Sequence, residues 1–200
     1  AVALSADGNT ALVGADSKHD FSMAFSLEAG AAYVFTRSGG TWSQQQKLLA
    51  GDKESYDHFG KSAALSADGN IALIGAYKKS SGTLSQNGAA YVYTRSAGKW
   101  TQLAALSASD KASADRYGYS AALSADGSLA LIGSYFNSEG GLPKSGAAYL
   151  YARSGSSYVE QQKLLSNERA IEEFFGVSVS LSEKGTTALI GADSKSDGMT

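Results

Sequence analysis

The 200-residue chain contains no cysteine. Disulfides, thiolate metal sites and cysteine nucleophiles are therefore excluded. Histidine occurs only at His19 and His58, so a Ser-His-Asp triad would need one of these two beside a suitable serine. No apolar run approaches the ~20 residues that span a bilayer. No charged-then-apolar leader opens the chain. The first residue is an alanine in mid-repeat, so a processed or excerpted chain is expected. Lys and Arg number 17 against 19 Asp and Glu, a net charge of −2 with no basic block. Nucleic acid is not an expected partner, because phosphate neutralisation needs clustered cations. Proline is nearly absent too, with Pro143 alone.

What is present is glycine, 23 residues of it, scattered among short apolar runs in a chain that is 43% hydrophobic. Such a composition suits a folded core with many tight turns, and an all-β chain is the expectation.

The chain repeats itself. A Leu-Ser turn lead-in falls at Leu4, Leu65, Leu123 and Leu181, at intervals of 61, 58 and 58. A Gly-Ala-Ala-Tyr run begins at Gly30, Gly88 and Gly146. Aromatic-Gly pairs stand at Phe59-Gly60, Tyr117-Gly118 and Phe175-Gly176. Trp42, Trp100 and Tyr158 keep the interval, as do Arg37, Arg95 and Arg153. The three extra residues lie between Gly14 and Gly30, in one loop.

Each repeat reads as four short strands. In the second copy these cover residues 61–66, 71–74, 89–94 and 99–103. An Asp-Gly turn joins the first two: Asp tolerates the turn and Gly supplies positive φ. A variable loop, 77–87, follows the second strand. Helical periodicity is poor throughout, and the best helical rival is 167–174, NERAIEEF.

A four-stranded unit of this length points to antiparallel blades of β-propeller type, about 3.5 repeats. The expected divisions are 1–58, 59–116, 117–174 and 175–200, the last a half-blade. The count is three four-stranded units plus two strands, 14 strands in all. A closed propeller usually takes 4–8 blades. An excerpt of a larger propeller is favoured. Closure by a second copy and strand addition between chains are the alternatives.

Phe59-Gly60, then Ile74-Gly75-Ala76, then Gly88-Ala89-Ala90-Tyr91-Val92-Tyr93, resembles the FG-GAP repeat of integrin-type propellers. The resemblance covers essentially the whole chain. It implies an extracellular or cell-surface protein with adhesion or protein-interaction roles. The copies depart from the family's Gly-Ala-Pro, reading Gly14-Ala15-Asp16, Gly75-Ala76-Tyr77, Gly133-Ser134-Tyr135 and Gly191-Ala192-Asp193. The family's calcium loop is also missing. Ser5-Ala6-Asp7-Gly8-Asn9-Thr10 offers one carboxylate where calcium takes six to eight oxygens. Calcium is therefore not expected, nor any other cofactor.

No catalytic residue is assigned. His19 and His58 read as solvated loop residues. The acidic pairs Asp52/Asp57, Asp110/Asp115 and Glu168/Glu173 could serve glycoside hydrolysis. Their recurrence in every copy reads instead as structural, through Asx turns or pairing with Arg37, Arg95 and Arg153. Tyr33, Phe35, Tyr91, Tyr93, Tyr149 and Tyr151, with Trp42, Trp100 and Tyr158, read as core between blades. Tyr77, Tyr135 and Phe136 differ. They open the variable loop, where Asp16 and Asp193 stand in the other copies, and are the candidate binding-loop residues. No P-loop, dinucleotide fingerprint, His-rich motif or N-x-S/T sequon is present.

The expected function is a non-enzymatic surface propeller segment that binds proteins or glycans through variable loops, or a structural unit that self-associates through half-blades. A lectin-like propeller and an accessory domain of a larger enzyme are the alternatives.

Overall fold

The Asp-Gly turns form as expected in the structure, a computed structural model that describes residues 1–19 and 27–194. Gly8, Gly69 and Gly127 have φ of 65°, 66° and 68°, left-handed backbone that glycine adopts without a Cβ penalty. The serine ahead of each turn fastens it. Ser66 Oγ accepts the Ile71 N–H at 2.9 Å and donates to Asp68, whose Oδ1 accepts the Asn70 N–H at 3.0 Å. In the fourth copy Lys184 replaces the aspartate, yet Ser182 Oγ still accepts the Thr187 N–H at 3.0 Å.

Fourteen strands and no helix occur among the described residues. The first sheet comprises β1 (Val2–Leu4), β2 (Thr10–Ala15), β3 (Ala31–Ser38) and β4 (Thr41–Leu48). The second comprises β5 (Phe59–Leu65), β6 (Ile71–Ala76), β7 (Ala89–Ser96) and β8 (Lys99–Leu106). The third has β9 (Ser120–Leu123), β10 (Leu129–Ser134), β11 (Ala147–Ser154) and β12 (Ser157–Leu164), and a final pair is β13 (Ser178–Leu181) with β14 (Ala188–Gly191). Every sheet is an antiparallel meander in chain order. The helical rival over 167–174 forms turns instead. There the Glu173 carboxylate accepts the Ala170 N–H at 3.1 Å, and Glu172 and Phe174 are left-handed. The three-residue insertion falls between Lys18 and Gly30, a stretch whose residues 20–26 lie outside the described ones.

Side chains alternate across a strand, so each sheet has two faces. One face carries rings and the other aliphatic chains. Phe59, Tyr91, Tyr93 and Trp100 of the second sheet pack on Leu12, Ala32, Val34 and Leu48 of the first. Leu73, Ala90, Val92 and Leu106, on the opposite face, receive Tyr117, Tyr149, Tyr151 and Tyr158 of the third. The third sheet presents Leu131, Ala148 and Leu150 to Phe175, Val179, Leu181 and Ile190. Most polar atoms on these rings find partners as burial requires, the buried Tyr117 hydroxyl being an exception. Tyr93 donates to Leu49 O at 2.7 Å, Tyr151 to Ser107 O at 2.9 Å, and Trp100 Nε1 to Gln45 Oε1 at 2.9 Å. Gln45 is free to do so because a bulge at Val34/Phe35 drops it from the ladder, and the same shift recurs at Val92/Tyr93 and Leu150/Tyr151.

The turns that end the first strand of each sheet are stitched to one another. Ala6 N–H bonds Ala67 O at 2.9 Å, Ala67 N–H bonds Ala125 O at 2.7 Å, and Ala125 N–H bonds Glu183 O at 2.8 Å. They border a cavity of about 490 Å³ lined by Leu4, Leu65 and Leu123 with the intervening alanines and Glu183.

The two outermost faces meet no further sheet among the described residues. Trp42 is 41% exposed where its counterpart Trp100 is 2% exposed, and Leu189 is 73% exposed where Leu131 is fully buried. The core role expected of Trp42 is thus not met here, because the sheet that would cover it is not among the described residues.

Adjacent sheets touch backbone to backbone at glycine. A Cβ on Gly75 would land on the carbonyl of Gly118, and one on Gly133 on the carbonyl of Gly176. Gly75→Ala should therefore lose roughly 3 kcal/mol of stability, the upper end of overpacking costs. Gly82→Ala, in open space at φ 60°, should lose only about 1 kcal/mol. Urea unfolding of both variants checks this, and equal losses would contradict it.

Candidate functional site

The Asp-Gly turns and the β3–β4, β7–β8 and β11–β12 turns lie at one end of the sheets. The antiparallel order therefore brings the loops after β2, β6 and β10 to the other end, together with the segments that cross to the next sheet. These loops are pinned. Lys78 N–H bonds Asp57 O and Phe136 N–H bonds Asp115 O, both at 3.3 Å. The carboxylates of Asp57 and Asp115 accept the Glu54 and Ala112 N–H groups at 2.7 Å, which closes the crossing turn. Asp52 and Asp110 instead accept the hydroxyls of buried Tyr91 and Tyr149 at 2.8 Å.

The arginines expected to pair with these acids do not. Arg37 and Arg95 donate Nε to Asn9 and Asn70 beside the Asp-Gly turn, and Arg153 to Gly155 O. The cations are lysines. Lys79, 7% exposed, sits 3.2 Å from Asp57, 3.5 Å from Glu54 and 3.8 Å from Asp52. One repeat later its place is taken by Asn137, and Lys163 reaches Asp110 and Glu139 from β12, where the second sheet has Ala105. The ammonium is kept while its backbone origin moves. Burial pushes the Asp57 carboxyl up to about 6, against the pull of the Glu54 N–H and the Lys79 ammonium. Burial raises Asp115 as well.

On these pinned loops the three sequence-predicted residues come together. The run of rings passes from His58 to Tyr77 (5.3 Å between centroids), Tyr119 (5.4 Å), Tyr135 (4.1 Å), Phe136 (4.4 Å) and Phe174 (5.6 Å). Cations lie on the rings. Lys61 is 4.6 Å from the Tyr119 centroid, Lys78 5.4 Å from Tyr77, Lys144 5.2 Å and Arg116 4.1 Å from Phe136. Arg116 Nη1 also donates to the Tyr135 hydroxyl at 2.7 Å. All five true aromatics of this run are half-buried.

Sequence reasoning named Tyr77, Tyr135 and Phe136 and missed Tyr119, Phe174, Arg116 and Lys61. A signal existed. His58, Arg116 and Phe174 occupy one repeat position, and Lys61, Tyr119 and Val177 another, and both vary inside a nearly strict frame. His58, Arg116 and Phe174 share φ of 57°, 57° and 55°, so the varied side chains leave equivalent backbone.

His58 is buried rather than solvated. Its Nε2 lies 3.3 Å from Glu28 and 3.2 Å from Lys78 Nζ, and Asp16 is 4.0 Å from Nδ1. Burial, then Lys78, holds its pKa below the ordinary value despite the two carboxylates. His19 Nδ1 accepts the Glu28 N–H at 3.3 Å.

The donor set for the calcium that integrin-type repeats carry does not fit. Each turn offers one carboxylate, and its oxygens are engaged: Asp7 Oδ1 accepts Ser5 Oγ and Asn9 N–H, and Oδ2 accepts Asn9 Nδ2. The serine hydroxyl and Ser128 N–H hold Asp126 down to about 2. Among the described residues no group of three or more His, Asp or Glu side chains is placed to hold a metal.

The sequence profile of the FG-GAP repeat matches residues 42–93 and 100–151. No curated protein matches the chain in sequence. In structure the chain is similar to the β-propeller domain of Cps50 (Swd1) from Myceliophteria thermophila, with a TM-score of 0.55 and 13% identity, covering 96% of this chain and 48% of that one. TolB from Acinetobacter baumannii gives 0.52 and 17%, covering 95% and 36%. Sqt1 from Saccharomyces cerevisiae gives 0.50 and 8%, covering 84% and 36%. The chain spans between about a third and a half of these structures. The likeness carries the fold alone: four-stranded blades of a β-propeller.

The Asp57 environment sets a pH dependence. Its folded pKa of about 6 exceeds the ordinary 3.8. The folded state therefore keeps this proton longer, and stability from the group is full below the ordinary value and lost as pH rises to about 6. Urea midpoints for the wild type should fall relative to those of Asp57→Asn between about pH 4 and about pH 7. A gap that does not change with pH would show an ordinary carboxyl.

Proposed function

The chain belongs to the FG-GAP repeat family, and from that membership we propose that it is a non-enzymatic β-propeller segment of an extracellular or cell-surface protein. Its work is binding protein partners through the loop end of its blades. FG-GAP repeats are typical of extracellular proteins, and no helix among the described residues is long and apolar enough to cross a membrane. The observation that carries the reading is the run from Tyr77 to Phe174. It lies on pinned loops, spans neighbouring blades, and is built from the positions that differ between repeats.

The rest of the polar inventory supports a scaffold. Asp57, Asp115 and Glu173 close turns, Asp52 and Asp110 hold tyrosine hydroxyls, and both histidines are engaged with loop groups. The lectin-like alternative is less favoured, because Tyr91 and Tyr149, repeated in each blade, are fully buried and offer no ring face to a sugar. An accessory role beside an enzyme domain remains compatible with the same binding face.

A second reading rests on the exposed outer faces. The ring face with Val2, Leu4 and Trp42 and the aliphatic face with Leu189 are the two halves of the contact that joins the inner sheets. A further blade of this type, from the same polypeptide or a second copy, would bury each side chain for roughly 2 kcal/mol. The domain is then a section of a larger ring or assembly.

Crosslinking in an extract of surface proteins from the source cells tests the first reading. Crosslinks to partners should concentrate on Lys61, Lys78 and Lys144 and disappear in the Tyr135→Ala/Phe136→Ala variant. Crosslinks confined to Lys99 or Lys184, at the opposite end, would overturn it. We also propose that the turns work without calcium. Calorimetric titration with calcium should give no stoichiometric heat, and a chelator should leave the thermal midpoint unmoved. A saturable heat with a raised midpoint would contradict this.

A further inference from the structure

Among the described residues, the proposed binding face carries more cations than paired carboxylates. The ion pairs among the described residues leave Lys61, Lys78 and Arg116 without a carboxylate in range, while Lys144 pairs with Glu172 at 2.8 Å. Asp16 and Glu28 lie at the His58 edge of the run and are turned to that ring. Between Tyr119 and Phe136 the charged groups seen on the rings among the described residues are Lys61, Arg116 and Lys144. Arg116 is the focus. Its guanidinium lies over Phe136 and within 5.8 Å of the Tyr135 centroid and 6.0 Å of Tyr77. One donor is spent on the Tyr135 hydroxyl, and Nε is buried without a partner. The fork is held in place by stacking, which lowers the ordering cost of a carboxylate contact. Lys61, from β5, lies over Tyr119 on one side and 5.5 Å from Tyr77 on the other.

The geometry points to an acidic peptide segment of a partner protein as the ligand of this face, with its carboxylates on Arg116 and Lys61 and its apolar side chains between the rings. This inference rests on the interaction reading above and names its chemistry. Charge complementarity selects an acidic partner. Ring geometry selects a peptide over an acidic polysaccharide. Successive rings are tilted by 83°, 42° and 51°, and the cations already cover Tyr119 and Phe136. Only Phe136 and Phe174 approach parallel, at 28°, and Phe136 already carries Arg116 and Lys144, so no extended platform is left for a row of sugar rings. Separately oriented peptide side chains can enter between tilted rings, and Asp or Glu carboxylates can reach cations that stay stacked.

Fluorescence anisotropy with a fluorescein-labelled peptide of alternating Glu and Leu tests the assignment. The wild-type chain should bind it, more weakly as salt rises. A peptide with Gln in place of Glu should bind about tenfold more weakly or less still, and Arg116→Gln and Lys61→Gln should each cost about tenfold, as loss of a charge-assisted contact does. Arg116→Lys should recover only part of the loss. Unchanged thermal midpoints in the variants separate binding from folding. Equal affinity for the Gln peptide, indifference to both substitutions, or tighter binding of polygalacturonate would overturn the acidic-peptide assignment. If the Gln peptide or polygalacturonate still requires Tyr135 and Phe136, the interaction face survives and only its ligand class falls. If no probe depends on any of these side chains, both fall.

Discussion

Everything in this chain depends on how closely one sheet's backbone approaches the next. Gly75 and Gly133 on the second strands face the carbonyls of Gly118 and Gly176 with no room for a methyl group. Gly30, Gly88 and Gly146 bridge in parallel to Phe59, Tyr117 and Phe175 of the following copy. These contacts set the stacking distance at the axis. Farther out, where the wedge between sheets widens, tyrosine and tryptophan fill the space that glycine and alanine leave near the axis. The same contact fixes the serine after the aromatic-Gly pair, since Ser62 Oγ and Ser120 Oγ donate to Gly118 O and Gly176 O.

A frame this constrained separates scaffold from surface. Positions that repeat unchanged are engaged in the inter-sheet contact, the Asp-Gly turn or the tyrosine–aspartate bond. Positions that vary are free to carry recognition. The lysines beside the acidic pairs mark the boundary. The ammonium beside Asp52 and the one beside Asp110 serve the same local demand for charge compensation, but arise from Lys79 in a loop and Lys163 in a strand. The frame specifies a charge in space, not a residue in the sequence.

Much of this was legible beforehand because it is local. The Asp-Gly turns, the strand count, the meander order and the structural use of the acidic pairs follow from spacing and turn chemistry. Misreadings came where a long side chain chose among distant partners. Arg37 and Arg95 sit opposite the turn asparagines and bond there, not at the acidic loop on the far end of the sheet. His58 read as solvated, but Tyr77, Glu28 and Lys78 close over it. The rival helix over 167–174 failed because the Glu173 carboxylate takes the Ala170 N–H into a turn.

Sequence alone thus determined the repeat, its four strands, its turns and the poverty of its calcium loop, all properties of residues within a few positions of one another. Tertiary structure alone decided that Tyr77, Tyr119, Tyr135, Phe136 and Phe174 form one continuous run with Lys61 and Arg116 upon it. These residues are separated by as much as nearly two repeats of chain. They meet only because glycine lets the sheets stack closely enough for the loops of neighbouring blades to touch. The stretch around Phe59-Gly60 therefore holds the blades together, while the residues on either side of that pair, His58 and Lys61, contribute to the face they present.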